Sequence, residues 1–410
     1  MNKRIGIVGG GQLGKMMLLE AKRLGFYAVV LDPAADCPCS SICDELIVAS
    51  LSETQGYLEL ASKVDVITYE FEHISADALA KVEEGQGNTG SPCAAQGKGQ
   101  SSACPEFKGM VVYPSVAALK NIQNKYTQKS ILQERGIPVP RLSEKFNPDF
   151  GFPQMFKSKF GGYDGKGNRV IKSEADIPCA KQAGSACRAE GKGCNPLCPE
   201  FKAIDGFFEE WVDYALEVSV VACRGIDGEV VIYPVGENIH TNSILDTTIV
   251  PARITDEAKD KAMQVAKQVL EVFEGVGTFC VELFVCKDGE VLVNEVAPRP
   301  HNSGHYTIEG CFASQYENHI RAITGLPLGD VSLIAPAVMV NLLGESDGAA
   351  ELIGVAAAYR EYSKVNVHLY GKPQSKIGRK MGHYTVVADT QEEAIATAEK
   401  LKPVIKVTGI

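Results

Sequence analysis

The chain has 410 residues, a formal net charge of −10 and an ordinary globular composition, with room for two to four domains. An acidic balance of that size argues against a nucleic-acid surface, and no apolar run is long enough to cross a bilayer, so neither nucleic acid nor membrane is expected as a partner. Met1 to Arg4 leads straight into a strand pattern without a targeting segment, and the 13 cysteines are an odd count, so reduced thiols and a cytoplasmic location are expected.

Lys3 to Val8 reads as a strand, followed by a glycine turn and a helix running to about Leu24. Gly9, Gly11 and Gly14 satisfy the G-x-G-x-x-G spacing, and Tyr27 to Asp32 supplies a second strand ending in an acid. A nicotinamide-binding oxidoreductase would begin this way, yet the same turn brings any anion to a helix N-terminus. Val64 to Glu70 is a further strand. It sets Glu70 and Glu72 at the carboxyl edge of a parallel sheet, either solvated or hydrogen-bonded to a hydroxylated ligand. Asn124 to Arg135 has the pattern of an amphipathic helix closed by Gly136, and Pro138 and Pro140 predict a domain boundary near Val139.

Beyond that boundary two strand patterns flank Gly161 to Gly167. Gly161, Gly162, Gly165 and Gly167 make a turn whose backbone N–H groups can fold over phosphate oxygens, with Lys166 as a point charge; a plain glycine-rich hairpin is the bland alternative. Phe207 to Val212 is a short apolar run interrupted by Glu209 and Glu210, as in a buried strand with one polar edge. Lys372 to His383 is a basic loop in an acidic protein and suits a phosphate.

The densest stretch is Gly277 to His305. Two β-rich runs flank Asp288-Gly289, the pair that signals a two-residue type I′ turn with positive φ at both central residues. Counting outward from that turn pairs Lys287 with Glu290 and sets Glu282 opposite Glu295 on one face, their Cβ atoms ~4.5–5.5 Å apart. Such carboxylates repel each other unless a divalent cation sits between them. With Asn294 adding a hard oxygen, Mg²⁺ completed by substrate phosphates is the expected ion, the alternative being an edge hairpin whose glutamates face water. Arg299, His301, Asn302, Ser303 and His305 follow in one proline-punctuated loop.

Taken together, the Gly161–Gly167 loop, the Glu282/Glu295 pair, the Ala297–His305 loop and the Gly378–His383 run resemble the N5-carboxyaminoimidazole ribonucleotide synthetase family of ATP-grasp carboxylate-amine ligases. The resemblance runs from Ile5 to about Ala388. It implies an α/β ATP-grasp fold with a Rossmann-like N-terminal domain (1–138), a small α+β lid (139–215) and a C-terminal α+β portion carrying the metal site (216–410).

It also implies ATP as cosubstrate, Mg²⁺, bicarbonate, 5-aminoimidazole ribonucleotide and a homodimer, with the carboxylated ribonucleotide formed through carboxyphosphate in purine biosynthesis. By the resemblance, Lys125 and Lys157 hold ATP phosphates, Glu209, Glu210, Trp211 and Val212 the adenine, Glu217 the ribose, with His240 and Asn294 as further ATP contacts. Glu282 and Glu295 match the Mg²⁺ ligands. Arg299 and His301 are expected to hold bicarbonate or its phosphorylated form, and Asp164 with Tyr163 to orient the exocyclic amine and take its proton. Lys372, Arg379 and Lys380 are expected at the ribonucleotide phosphate, Gln12 and Glu72 near its sugar, and Gly11, Asn302 and Ser303 among the substrate contacts. The formate-dependent ATP-grasp glycinamide ribonucleotide transformylase is the nearest alternative, and a nicotinamide oxidoreductase a more distant one.

Two segments depart from the family. Cys93 to Gly109 and Cys187 to Ala203 share Gly-Lys-Gly and Cys-Pro-Glu-Phe-Lys in register, an internal repeat within insertions at about 86–109 and 179–203. They read as inert surface insertions. Cys93, Cys104, Cys179, Cys187, Cys194 and Cys198 leave a structural metal or a partner-binding role as the alternatives.

Overall fold

The structure, a computed structural model, describes residues 3–85, 109–162, 167–176 and 205–410. Apart from Gly109, the two repeated segments lie outside the described residues, and so do the six cysteines they contain or adjoin and Tyr163, Asp164, Gly165 and Lys166. Among the described residues the strands form four sheets.

The first sheet is parallel, with β1 (Arg4–Val8), β2 (Tyr27–Asp32), β3 (Glu45–Val48), β4 (Val66–Tyr69) and β5 (Val111–Val112) in the order β3-β2-β1-β4-β5. Ile5, Ile7, Val29, Val30 and Ile67 are fully buried, as expected of parallel strands covered on both faces. The order reverses between β1 and β4, and a crevice opens at the carboxyl ends of strands at such a switch point. The turn leading into α1 (Gln12–Arg23) and the loop after β4 meet there.

The second sheet, antiparallel, joins β6 (Leu142–Ser143), β7 (Gln154–Ser158), β8 (Asn168–Ile171) and β9 (Gly206–Glu210) in the order β6-β9-β7-β8. Its small core is Phe146, Phe156, Ile171 and Phe208, with edge-on ring contacts of 5.3 and 5.9 Å between centroids.

The central antiparallel sheet contains β10 (Tyr214–Arg224), β11 (Val230–Ile232), β12 (Gly236–Thr241), β13 (Ile244–Val250), β14 (Gly277–Cys286), β15 (Val291–Ala297) and β16 (Ala337–Leu343). A small sheet, β17 (Gly348–Ile353) with β19 (Gln374–Ser375) and β21 (Lys406–Gly409), flanks it, while β18 (Val365–Leu369) and β20 (Lys380–Val387) return to its edge. The order β15-β14-β10-β12-β13-β16-β20-β18 makes the C-terminal strands a continuation of the sheet that carries the acidic hairpin. The helix Asp256–Phe273, capped by the Thr255 hydroxyl, buries Ala258, Ala262, Val265, Ala266, Val269 and Leu270 against one face. Those spacings of three and four residues are the apolar stripe of a 3.6-residue repeat.

Candidate active site

Glu282 and Glu295 do face each other across the ladder, but by a different route from the one the turn predicted. The loop has three residues, Lys287 to Gly289. The Cys286 amide donates to Glu290 O at 2.8 Å and the Gly289 amide to Cys286 O at 3.0 Å, and within the loop Gly289 alone has positive φ, at +82°. This is a hairpin closed by one αL glycine, so the type I′ assignment is corrected. The ladder therefore runs one residue off the predicted register as far as Leu283–Val293, and a bulge at Asn294 restores it. The side-chain amide of the bulge residue is used: Lys157 Nζ donates to Asn294 Oδ1 at 2.9 Å.

Around this hairpin positive and negative side chains interleave. Lys125, the first residue of the helix Lys125–Glu134 capped by the Asn124 side chain, donates to Glu295 Oε2 at 2.9 Å and to Gly162 O at 3.2 Å. Burial would lower its pKa, but Glu295 raises it and keeps the ammonium charged. Glu282 is pushed up to about 7, first by burial and then by repulsion from Glu295. Two crowded carboxylates and an amide oxygen suit a hard cation, and nearby ammonium groups suit phosphate. Among the described residues no three His, Cys, Asp or Glu side chains are grouped to hold a metal by themselves. A Mg²⁺ ion at Glu282 and Glu295 would therefore take its remaining ligands from phosphate and water.

Glu209 is buried to 2 % exposure and pairs with Lys157 at 2.8 Å and with Lys129, itself 1 % exposed. Burial pushes Lys129 down to about 7 against the pull of Glu209. The sequence reading missed Lys129, four residues after Lys125 on the same helix face, although that spacing was its signal. Glu209 thus holds lysines rather than presenting a free edge, while Glu210 pairs with Arg141 at 2.6 Å and Trp211 stays exposed beside Val212 in the cleft wall. His240 Nδ1 lies 2.7 Å from Glu217 Oε2; despite burial, His240 holds Glu217 below its ordinary value and is itself raised. Tyr214 stacks on Phe284 at 4.5 Å and hydrogen-bonds Glu217, a flat aromatic surface that the sequence did not announce.

Across the cleft Arg299 forms a buried ion pair with Glu72, which burial alone would raise but Arg299 holds at about 2. His301 is kept neutral by burial, reinforced by Arg299 and Lys380. The Ser303 amide donates to His301 Nδ1 at 3.3 Å, which leaves the ring proton on Nε2, 3.7 Å from Glu282 Oε1. Ser303 lies fully buried behind His301, its hydroxyl 2.9 Å from Nδ1, so the structure makes it a support for the ring and not part of the cleft wall. Asn302 does reach the wall. Lys372 Nζ donates to Lys380 O at 2.7 Å and Arg379 to Gln374 O at 2.8 Å, which gathers the basic loop at the far end of the cleft.

With Lys129, Arg141 and Ser303 set aside, these site side chains line one continuous cleft of about 1390 Å³, together with Gln12 and Gly162. Gly161 and Gly167, with φ of +67° and +87°, are not among the residues of the cleft wall. Gly11 is not in the wall either. Its amide donates to Glu70 Oε1 at 2.6 Å, the Gly14 amide to Glu70 Oε2 at 2.8 Å and the Gly10 amide to Asp32 at 2.7 Å. A Cβ on Gly9 or Gly11 would lie 2.5 Å from the Glu70 side chain, and one on Gly14 would lie 2.5 Å from Gly9 O. The glycine fingerprint is therefore filled by the chain's own carboxylates, leaving those amides with no site for a dinucleotide pyrophosphate. Cys37 packs its sulfur where a Gly10 side chain would go, so the Cys37–Cys43 loop buttresses the turn, and Cys37, Cys39 and Cys43 are free thiols.

The small antiparallel sheet β6-β9-β7-β8, the carboxylate hairpin and the lysines between them define an ATP-grasp enzyme. Family models agree: residues 1–94 match the ribonucleotide synthetase preATP-grasp domain, 132–316 the ATP-grasp domain and 337–397 the phosphoribosylaminoimidazole carboxylase C-terminal domain. The N5-carboxyaminoimidazole ribonucleotide synthase of Bacillus subtilis is 37% identical over 399 residues, 95% of this chain and 93% of that one. The crystal structure of N5-carboxyaminoimidazole ribonucleotide synthetase from Thermotoga maritima is 40% identical, covers both chains fully and superposes with a TM-score of 0.82. That of the Aspergillus clavatus synthase in complex with ADP and 5-aminoimidazole ribonucleotide is 32% identical over 98% of this chain and 97% of that one, with a TM-score of 0.77. The chain belongs to the N5-carboxyaminoimidazole ribonucleotide synthase family and is an ATP-grasp ligase.

Proposed function

We propose that the protein carboxylates 5-aminoimidazole ribonucleotide on its exocyclic amine, using ATP and bicarbonate and releasing ADP and phosphate, in purine biosynthesis. The observation that carries this is a single cleft joining the lysine–carboxylate hairpin region at one end to Gln12, Glu72, Arg299 and the Lys372–Lys380 loop at the other. A phosphorylated bicarbonate made at the first end meets an amine held at the second without leaving the protein.

Lys125 and Lys157 hold the triphosphate, with Glu217 and His240 at the ribose and the Glu209–Val212 segment along the base. Mg²⁺, held by Glu282 and Glu295 with Asn294 beside them, supplies charge neutralisation at the phosphates when bound. Arg299, kept in place by Glu72, orients bicarbonate so that its oxygen attacks the γ-phosphorus, and the neutral His301 donates a hydrogen bond from Nε2–H to the same anion. Carboxyphosphate then yields carbon dioxide and phosphate beside the amine. The amine attacks carbon dioxide, and its proton passes to Asp164, which the family resemblance supplies together with Tyr163 and Lys166. Lys372, Arg379 and Lys380 hold the ribonucleotide phosphate, while Gln12 fixes the sugar. The lid excludes water, to which carboxyphosphate would otherwise be lost.

No helix among the described residues is long and apolar enough to cross a membrane, and we place the reaction in the cytoplasm with a homodimer as the working assembly. The test is product stoichiometry with ¹³C-bicarbonate: one label should enter the ribonucleotide per ADP formed. Turnover with formate and glycinamide ribonucleotide, and none with bicarbonate, would reverse the assignment in favour of the transformylase.

A further inference from the structure

The loop bearing Arg299, His301 and Asn302 comes from the strand end of β15, whereas Lys380 begins β20 and Lys372 lies in the connection from β18 to β19. Something must keep these two parts of the cleft in register. Asn341 on β16 and His383 on β20 are direct cross-strand partners, and each receives one residue of the loop. Asn341 exchanges two amide hydrogen bonds with Asn302, of 2.7 and 3.0 Å. The His383 ring packs at a tilt against His305, ring centroids 4.4 Å apart and planes 30° apart. It also stacks on His368, its partner in β18, at 4.6 Å and 13°.

Each imidazole of this stack is tethered. The hydroxyl of Tyr316 lies 2.7 Å from His305 Nδ1, that of Tyr370 lies 3.1 Å from His383 Nδ1, and Glu309 lies 2.7 Å from His368 Nε2. One end of the array closes the loop, since the His305 amide donates to Asn302 O at 3.2 Å. The basic side is reached through Tyr370, the tether of the middle ring: its amide donates to Met381 O at 3.0 Å, and its ring lies 5.5 Å from Lys372 Nζ. His305 and His383 are fully buried and their Nε2 atoms have no hydrogen-bond partner among the described residues, a cost that an apolar side chain would not carry. The mechanism above uses none of these rings.

We propose that His383 is a positioning residue, stacked between His305 and His368, that holds the Arg299–Asn302 loop and the Lys372–Lys380 segment at a fixed spacing so that the amine of the ribonucleotide meets the carboxylating group. The inference rests on the carboxylation reading of the cleft. Burial keeps His305 and His383 neutral, so their contact sets no charge against charge.

The test measures steady-state kinetics and thermal unfolding for wild type, His383→Leu and Tyr370→Phe. Loss of the stack should raise KM for 5-aminoimidazole ribonucleotide about tenfold or more and lower kcat in His383→Leu, while KM for ATP stays within about twofold. Tyr370→Phe keeps the ring beneath Lys372, folds even where His383→Leu does not, and should move the same constants in the same direction by a few-fold. A lowered Tm with unchanged KM for the ribonucleotide, or an equal rise in KM for ATP, would mean a structural role only and overturn the proposal. Wild type without ribonucleotide-stimulated phosphate release would overturn the carboxylation reading together with it; stimulated wild type with unaltered variants overturns the coupling alone.

Discussion

Replacing Glu282 by Gln should stabilise the protein in the absence of metal and nucleotide, and more so as the pH rises. Burial, then the Glu295 carboxylate across the ladder, pushes Glu282 from its ordinary 4.5 up to about 7. Between those values the native chain binds more protons than the unfolded one, so the cost is absent below pH 4.5, grows through the window and is complete above pH 7. The gap corresponds to roughly 3 kcal/mol. A quarter of the side chain faces the cleft (25% exposed), and solvent screening reduces the expectation to about 2 kcal/mol. Urea unfolding in EDTA at pH 5 and pH 8 measures it. The variant should be ahead by only about 0.5 kcal/mol at the lower pH and by about 2 kcal/mol at the higher. A variant no more stable at pH 8, or an advantage that does not grow with pH, would refute the reasoning that this pair is strained until a cation joins it.

Lys157→Met should weaken ADP binding by about 10- to 100-fold, the worth of a charged hydrogen bond, as read by titration calorimetry; unchanged affinity would remove Lys157 from the nucleotide site. Arg299→Lys keeps the charge but loses the fork that Glu72 orients, and kcat should fall by about 100-fold with KM for ATP nearly constant. Full kcat in that variant would contradict a positioning role for the guanidinium. Glu70→Gln offers one acceptor to two glycine amides, so Gly11 or Gly14 is left unpaired and unfolding should be easier by about 1–3 kcal/mol in denaturant titration.

The sequence disclosed what local rules govern. Glycines and prolines marked the connection between β7 and β8 and the break after the Lys125 helix, and period-two runs marked the hairpin. The Glu282–Glu295 pairing came out right because two departures cancelled, a loop one residue longer than the type I′ turn and a bulge at Asn294. Neither is visible in residue types, since Asp-Gly serves both loops and a bulge is decided by what its side chain meets, here Lys157. The glycine fingerprint misled for a similar reason. That Glu70 fills the turn depends on β4 lying beside β1, which brings it to Gly11, 59 residues earlier in sequence. The Lys129–Glu209 pair and the imidazole stack were illegible on the same ground, because each joins segments whose proximity only the assembled sheets create.

The most direct test of the carboxylating cleft is phosphate release from ATP with Mg²⁺ and bicarbonate, with and without 5-aminoimidazole ribonucleotide, in wild type and Glu295→Gln. Release should depend on the ribonucleotide in wild type and be lost in the variant. Release indifferent to the ribonucleotide, or undiminished in Glu295→Gln, would contradict both the substrate and the metal site assigned to it.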